Sequence, residues 1–361
     1  MLKLYKSFAV PAILLLSTTM FAQGVITTPR TPSPAASVTQ TIGISTVTVN
    51  YSRPSVKDRK IWDSLVPYGY NVQGFGAGNA APWRAGANEN TTIRFSDDAT
   101  VEGHPVPAGE YGLFFVIYND NSGEMILSKD YKSWGSFWYD STQDLMRAKI
   151  QLRDIPMTEM LTYDFINDTK SAAELVLNWE KKQFPVKIEF AVDKIVMANA
   201  KEQLKNTVGF SWQGYVSAAN YALQNNVDLD QAVMWANTAV IQNRNFNTLS
   251  LKANVLKASG KTTQASVVMD SAIQLSSEGE LNTYAYGLMT QGKLDDAIQM
   301  FLLNTKRHPE SANVWDSLGE GYFTKGDKKN AIAGFKKSLS LNPPPLTKAN
   351  SEKFLSQMGA K

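Results

Sequence analysis

The sequence predicts a multidomain α+β chain, an N-terminal antiparallel β-sandwich or jelly roll followed by a C-terminal α-helical solenoid of repeated helix pairs. Three observations carry this. Apolar residues alternate with a period of two over residues 36–190. From Asp193 onward the period lengthens to 3.6. The segment 313–343 then recurs in register 34 residues upstream.

The first 35 residues are read before either domain. Residues 1–23 have the layout of a secretory signal peptide: Lys3 and Lys6, an apolar run over 8–16, then a cleavage site near Ala22 or Gln23. That run is shorter than the roughly 20 residues a bilayer span needs. Residues 24–35 form a Pro-rich linker containing TTPRTPSP, expected to be extended and solvated. Without the two leader lysines the chain carries 34 basic against 33 acidic side chains, which gives no support for nucleic-acid binding. It contains no cysteine, which excludes disulfides, thiol catalysis and Cys-held metals and suits an exported protein stabilised by burial alone. The localisation expected is periplasmic or extracellular, with no membrane span in the mature chain.

In the β domain, segments 46–51, 91–95, 111–118, 124–128, 145–152, 161–166, 173–179 and 186–190 read as strands. Turn residues such as Pro107-Ala108-Gly109 and Asn167-Asp168 separate them. A closed barrel is the alternative architecture. Residues 52–90 are too long for an ordinary connection, and a long loop holding Trp, Arg, Asn and Glu is a functional candidate. The loop and its neighbours spell YSRP, KDRKI, LVPYG, WRAGANENTTI and PAGEYGLF, with Trp134-Gly135 and Tyr139-Asp140 beyond.

These motifs resemble the domain of unknown function 2911, over about residues 35–190. The resemblance implies a β fold and export, with repeats often following the domain, and it transfers no catalytic residue. This chain departs from the usual pattern at residues 71–82, where NVQGFGAGNAAP separates LVPYG from WR.

Two ligand surfaces are candidates here. Arg53, Arg84, Asn88 and Glu89, walled by Tyr51 and Trp83, could form a small polar pocket; the bland reading is an Arg–Glu pair pinning the loop to the sandwich. The aromatic run YKSWGSFWY, with Trp134 and Trp138, could stack a glycan but equally suits core and rim. Gly74, Gly76 and Gly78 lack the strand-to-helix setting of a phosphate loop. His104, in a hairpin-like turn, and His308, at a repeat end, cannot make a metal site, so no metal and no cofactor are expected. Asp97, Asp98, Glu102 and Asp140 lie near strand ends, but their spacing selects no acid–base pair.

The helical region opens with a connecting helix over 192–209. With Trp315 at position 4 of a 34-residue frame, Leu318, Gly319, Tyr322, Ala331, Phe335 and Pro343 meet the tetratricopeptide pattern W-x2-L-G-x2-Y … A-x3-F … P. Leu281, Tyr284, Ala285, Leu288, Ala297, Phe301 and Pro309 repeat it. A third copy, offset by 32 residues, carries Leu249, Ala253, Leu256, Ala265 and Met269, and a degenerate fourth carries Val216, Leu223, Ala232 and Ala236. About four repeats over 210–345 and a capping helix over 346–361 follow. The first helices of the last two repeats would present Asn282, Tyr286, Met289, Asn313, Asp316, Glu320 and Phe323 to a peptide groove.

The reading favoured is a non-enzymatic interaction scaffold that binds a protein or peptide of the cell envelope. The alternatives are glycan or small-anion binding by the sandwich, and a carboxylate-based hydrolase.

Overall fold

The structure is a computed structural model that describes residues 32–360. The signal peptide expected over 1–23 and residues 24–31 of the linker lie outside the described residues. The chain divides into two compact units, Met1–Phe190 and Ala191–Lys361.

The first unit is built from antiparallel strands. β1 (Ala35–Ile42) and β2 (Ser45–Ser52) pair in full register, from Ala35 opposite Ser52 to Ile42 opposite Ser45. After β3 (Asn71–Val72) and β4 (Ala80–Ala81), a small hairpin inside the long loop, come β5 (Thr92–Phe95), β6 (Ala99–Val101) and β7 (His104–Val106). Then follow β8 (Gly109–Ile117), β9 (Ser122–Ser128), β10 (Asp144–Gln151), β11 (Arg153–Ile166) and β12 (Ala172–Phe190). One sheet has the order β1-β2-β5-β8-β9-β10, and a second has β11-β12-β6-β7.

Aromatic side chains join the two sheets. Tyr51 on β2 meets Tyr163 on β11 edge-on at 4.7 Å, and Phe115 on β8 meets Phe184 on β12 at 5.1 Å. Such pairs contribute roughly 0.5–1.5 kcal/mol each beyond area burial. β8 is buried on both faces, because Phe114 and Val116 are covered by Tyr70, Ala81 and Tyr139 from the neighbouring loops.

Every strand read from alternation lies within or overlaps an observed strand, with two revisions. Segments 173–179 and 186–190 are one 19-residue strand, β12, which runs past Pro185. The proline is tolerated there because it lies between the two ladders of β12, past Gln183, the last partner of β11, and before Ile188, the first partner of β6, so no ladder N–H is needed. β1 escaped the reading because AASVTQTI carries too few large apolar residues to mark an edge strand. His104 is exposed at the first position of β7, just past the Glu102-Gly103 turn.

The second unit is helical. α1 (Val192–Gln203) and a 3-10 turn (Thr207–Phe210) occupy the connecting-helix region. Four helix pairs follow: α2 (Trp212–Asn225) with α3 (Leu229–Gln242), α4 (Phe246–Ala258) with α5 (Thr262–Leu275), α6 (Glu278–Thr290) with α7 (Leu294–Arg307), and α8 (Ala312–Lys325) with α9 (Lys328–Ser340). α10 (Pro345–Gln357) stacks on the last pair. The turn inside each pair is left-handed at Asn226, Gly260, Gly292 and Gly326, the conformation that favours Gly and Asn. Asn245 and Ser277 close capping boxes that start α4 and α6.

Small residues set the spacing of the helices. A Cβ on Gly319 would lie 2.9 Å from the Phe335 ring, so the glycine lets that fully buried phenylalanine enter between α8 and α9. No helix among the described residues is long and apolar enough to cross a membrane.

Candidate functional sites

The repeat frame assigns one face of the first helices, α4, α6 and α8, as the surface where a peptide would lie. The structure treats its two ends differently. At the C-terminal end Asp316 is 5 % exposed and accepts hydrogen bonds from Asn350 Nδ2 at 2.8 Å and from the Ser351 hydroxyl, both on α10. Asn350 Nδ2 also donates to Glu320 at 2.5 Å, and Phe323 packs on Phe354 of α10 at 4.8 Å. Tyr286 stands edge-on to Phe301 at 5.0 Å. Burial raises the Asp316 and Glu320 carboxyls above their ordinary range, opposed by those hydrogen bonds.

Three of the seven residues expected to face a peptide, Asp316, Glu320 and Phe323, are thus engaged by the chain's own last helix. The cause is the 34-residue step: Asn350 and Ser351 on α10 occupy the places that Asp316 and Ser317 occupy on α8. Asn282, Tyr286 and Met289 are half-buried, and Asn313 is exposed.

The same face is open one repeat earlier. Between α4 and α6 lies a trough of about 550 Å³, with Asn247, Ser250 and Asn254 on one side and Gly279, Thr283 and Gly287 on the other. Asn247 and Asn254 are exposed, and their carboxamides have no hydrogen-bond partner among the described residues. The hydroxyls, by contrast, are turned back: Ser250 donates to the Asn247 carbonyl at 3.1 Å and Thr283 to the Gly279 carbonyl at 2.9 Å. A Cβ on Gly279 or Gly287 would meet nothing within 4 Å. Phe246, Met269 and Tyr284 contribute apolar lining, Phe246 and Tyr284 lying 6.3 Å apart. Asn247, Ser250 and Asn254 hold the frame positions of Asn313, Asp316 and Glu320 and were legible by carrying the frame back to α4.

In the first unit the long loop makes a second hollow of about 590 Å³. Of the expected pocket residues, Trp83, Arg84 and Asn88 line it. Tyr51 is buried at the sheet–sheet contact instead. Arg53 Nε donates to the Leu161 carbonyl at 3.0 Å and Nη2 to Thr162 Oγ1 at 2.6 Å, tying the loop to β11. Glu89 accepts from Ser52 Oγ at 3.4 Å, and Arg84 donates to the Asn88 carbonyl at 2.6 Å. Among the described residues Arg53 and Arg84 are thus held by carbonyl and hydroxyl oxygens rather than by a glutamate. Trp134 and Trp138 are about half exposed, at 51 % and 57 %, and do not line the hollow.

A polar cluster escaped the sequence reading. Arg147 Nη1 donates to the Tyr70 hydroxyl and Nη2 to the Tyr139 hydroxyl, each at 3.0 Å, while its Nε donates to Asp144 at 2.8 Å. Tyr70 donates in turn to Glu124 at 2.5 Å and Tyr139 to Asp144 at 2.7 Å. Burial and the adjacent carboxylates raise both phenols well above their ordinary value. Its members come from three separated stretches, around residues 70, 124 and 139–147, which no local motif connects, and it fastens the loop to β9 and β10.

The carboxylates considered for hydrolysis have local work: Asp98 accepts from the Ala108 amide, Glu102 from the Lys187 amide, Asp140 from the Thr142 amide and Asp97 from the Ser96 hydroxyl. Among the described residues no group of three or more His, Asp or Glu side chains is placed to hold a metal ion.

Residues 33–188 match the family described as Protein of unknown function (DUF2911). No curated protein matches the chain. Among solved structures, the chain is similar over its helical region to YrrB, described as a TPR protein with an unusual peptide-binding site, at 18 % identity and TM-score 0.28, covering 45 % of this chain and 84 % of that one. It is also similar to PilF of Pseudomonas aeruginosa, at 20 % identity and TM-score 0.28 with 42 % and 71 % covered. A third is MamA, at 16 % identity and TM-score 0.28 with 42 % and 89 % covered.

Proposed function

We propose that this chain is an exported interaction scaffold: a β-sandwich domain followed by tetratricopeptide-type repeats that take an extended peptide of an envelope protein in the α4–α6 trough. The observation that carries the reading is the pair of unpartnered carboxamides, Asn247 and Asn254, set about two turns apart on one face of α4 across from a glycine-lined edge. A carboxamide offers both donors and an acceptor, so two in a row can pair with the N–H and C=O groups of an extended backbone. Gly279 and Gly287 leave room for that backbone, and Phe246, Met269 and Tyr284 give a side chain somewhere apolar to go.

Panning a displayed random-peptide library against the purified chain tests this. Enriched peptides are expected to bind the chain and to lose about tenfold or more in affinity for Gly287→Leu, which fills the trough from its open side. Equal binding to both proteins contradicts the proposal. Export is supported by the leader pattern of residues 1–23 and by the absence of cysteine. N-terminal sequencing of the protein from a cell-envelope fraction is expected to begin at Gln23 or Gly24, and recovery with Met1 intact in the cytoplasm contradicts it.

A further inference from the structure

The hollow of the β unit carries a second, independent site. Its walls contain three cations, Lys57, Arg59 and Arg84, and neither aspartate nor glutamate. No ion pair joins any of the three to a carboxylate among the described residues. Of the nearby acids, Glu89 lies against Ser52, Glu159 accepts the backbone N–H of Lys57 at 3.0 Å, and Asp58, exposed between Lys57 and Arg59, does not line the hollow.

Arg84 is held as a receptor would be. Its guanidinium lies 4.6 Å from the centre of the Phe137 ring, and a Cβ on Gly135 would fall 2.3 Å from its Nη1, so only a glycine admits it there. One donor goes to the Asn88 carbonyl. The other N–H donors of the planar fork have no partner among the described residues, the arrangement that suits two-point capture of an oxyanion. Burial pushes the guanidinium below its ordinary value.

The loop that presents Arg84 is stiff. Ala85 and Asn88 hold left-handed backbone at φ +52 and +62, a conformation costing roughly 1–3 kcal/mol at a non-glycine residue. Tertiary bonds maintain it: the Ala85 carbonyl accepts from the Tyr163 hydroxyl at 3.0 Å and from Thr91 Oγ1 at 3.3 Å, and Asn88 Nδ2 donates to the Ser33 carbonyl at 3.2 Å. Strain sustained by the surrounding fold around an unpaired cation is the pattern of a preorganised binding loop. Asn71 and Gln73, beside the cations, supply donors and acceptors for a hydroxylated body. The volume falls within the 300–1,000 Å³ typical of small-molecule sites.

We propose that this hollow binds a small hydroxylated oxyanion, with Arg84 gripping the anionic group in the interior and Lys57 and Arg59 drawing it in at the exposed rim. Carboxylate, sulfate and phosphate share the chemistry, and the experiment separates them. The purified chain is titrated with glucuronate, glucose 6-sulfate and glucose 6-phosphate, with glucose as the uncharged control, following tryptophan fluorescence from Trp83 and Trp179 and the melting temperature. At least one anion is expected to bind saturably and raise the melting temperature, while glucose does neither. Arg84→Gln is expected to weaken that anion about tenfold or more, and Arg84→Lys nearly as much, since an ammonium cannot reproduce the fork. The rim variant Lys57→Gln, at an exposed side chain that makes no hydrogen bond or ion pair among the described residues, is expected to weaken binding about three- to tenfold and to flatten its salt dependence. Absence of saturation by all three anions at about 10 mM, equal binding of glucose, or unchanged affinity in the rim variant overturns the proposal.

Discussion

The α4–α6 and α8–α10 junctions are made from one sequence pattern and differ in what covers them. Between α8 and α10 the polar face is closed, with Asp316 accepting from Asn350 and Ser351, Glu320 sharing Asn350, and Phe323 lying against Phe354. Between α4 and α6 the positions of Asn313, Asp316 and Glu320 are held by Asn247, Ser250 and Asn254, and they face glycines. The packing beneath follows the same division. α9 packs on α10, as α7 does on α8 and α3 on α4, whereas the α5 and α6 backbones approach each other less closely and meet mainly through Tyr284. The link there is only Ser276-Ser277, which accounts for the 32-residue step in an otherwise 34-residue frame. Frame position alone therefore does not make a residue available for binding. What decides is whether the next helix of the solenoid reaches it.

Core truncation at the two junctions separates them most strongly. Phe335→Ala, at a fully buried ring on the closed side, is expected to cost about 3–5 kcal/mol, whereas Met269→Ala, its half-exposed counterpart on the open side, is expected to cost about 1–2 kcal/mol. Urea denaturation reads both, and equal losses would remove the contrast.

The polar faces come next. Asp316→Ala strands the Asn350 and Ser351 donors and is expected to cost about 2–3 kcal/mol, while Asn254→Ala is expected to stay within about 0.5 kcal/mol of the parent. The carboxyl groups add a pH signature. Burial raises the folded-state pKa of Asp316 and Glu320, so the folded state holds these protons more tightly than the unfolded chain does. Their contribution therefore improves as pH falls through the raised values and stops improving below the ordinary ones, 3.8 and 4.5. Relative to the parent, Asp316→Asn/Glu320→Gln is expected to lose this gain on acidification, read from melting temperatures between about pH 7 and pH 4. A parallel pH dependence in both proteins would place the two carboxyls in a more solvated setting.

Much of this was legible in the chain. The repeat register came from fixed offsets around Trp315, and the strands came from period-two runs between turn residues. The strands that escaped lack the large apolar residues that mark a strand: β1 is small and polar, while β6 and β7 are three residues each. The closure of the last groove was not legible, because Asn350, Ser351 and Phe354 lie in a helix read only as an apolar cap. Arg84 was visible as a loop cation in WRAGANE. That Phe137, Gly135 and the Asn88 carbonyl hold it, rather than Glu89, depends on a loop path that no local pattern encodes.

A smaller effect sharpens the account of the open side. Gly287→Ala adds a Cβ to open space inside a helix and is expected to stabilise the chain by about 0.5–1 kcal/mol. Destabilisation by that substitution would mean that α6 approaches its neighbours more closely than the trough allows. Smallest of all, Asp295→Asn, which breaks the exposed 2.5 Å pair with Lys325, is expected to change stability by no more than about 1 kcal/mol.

The most direct test sets the open and closed faces against each other with one peptide obtained by panning. Its affinity is measured by calorimetric titration for the parent, for Asn247→Ala/Asn254→Ala and for Asn313→Ala/Phe323→Ala. The account predicts a loss of about tenfold or more in the first pair and a change within about twofold in the second. The reverse order, with binding lost at Asn313 and Phe323 and kept at Asn247 and Asn254, would contradict it.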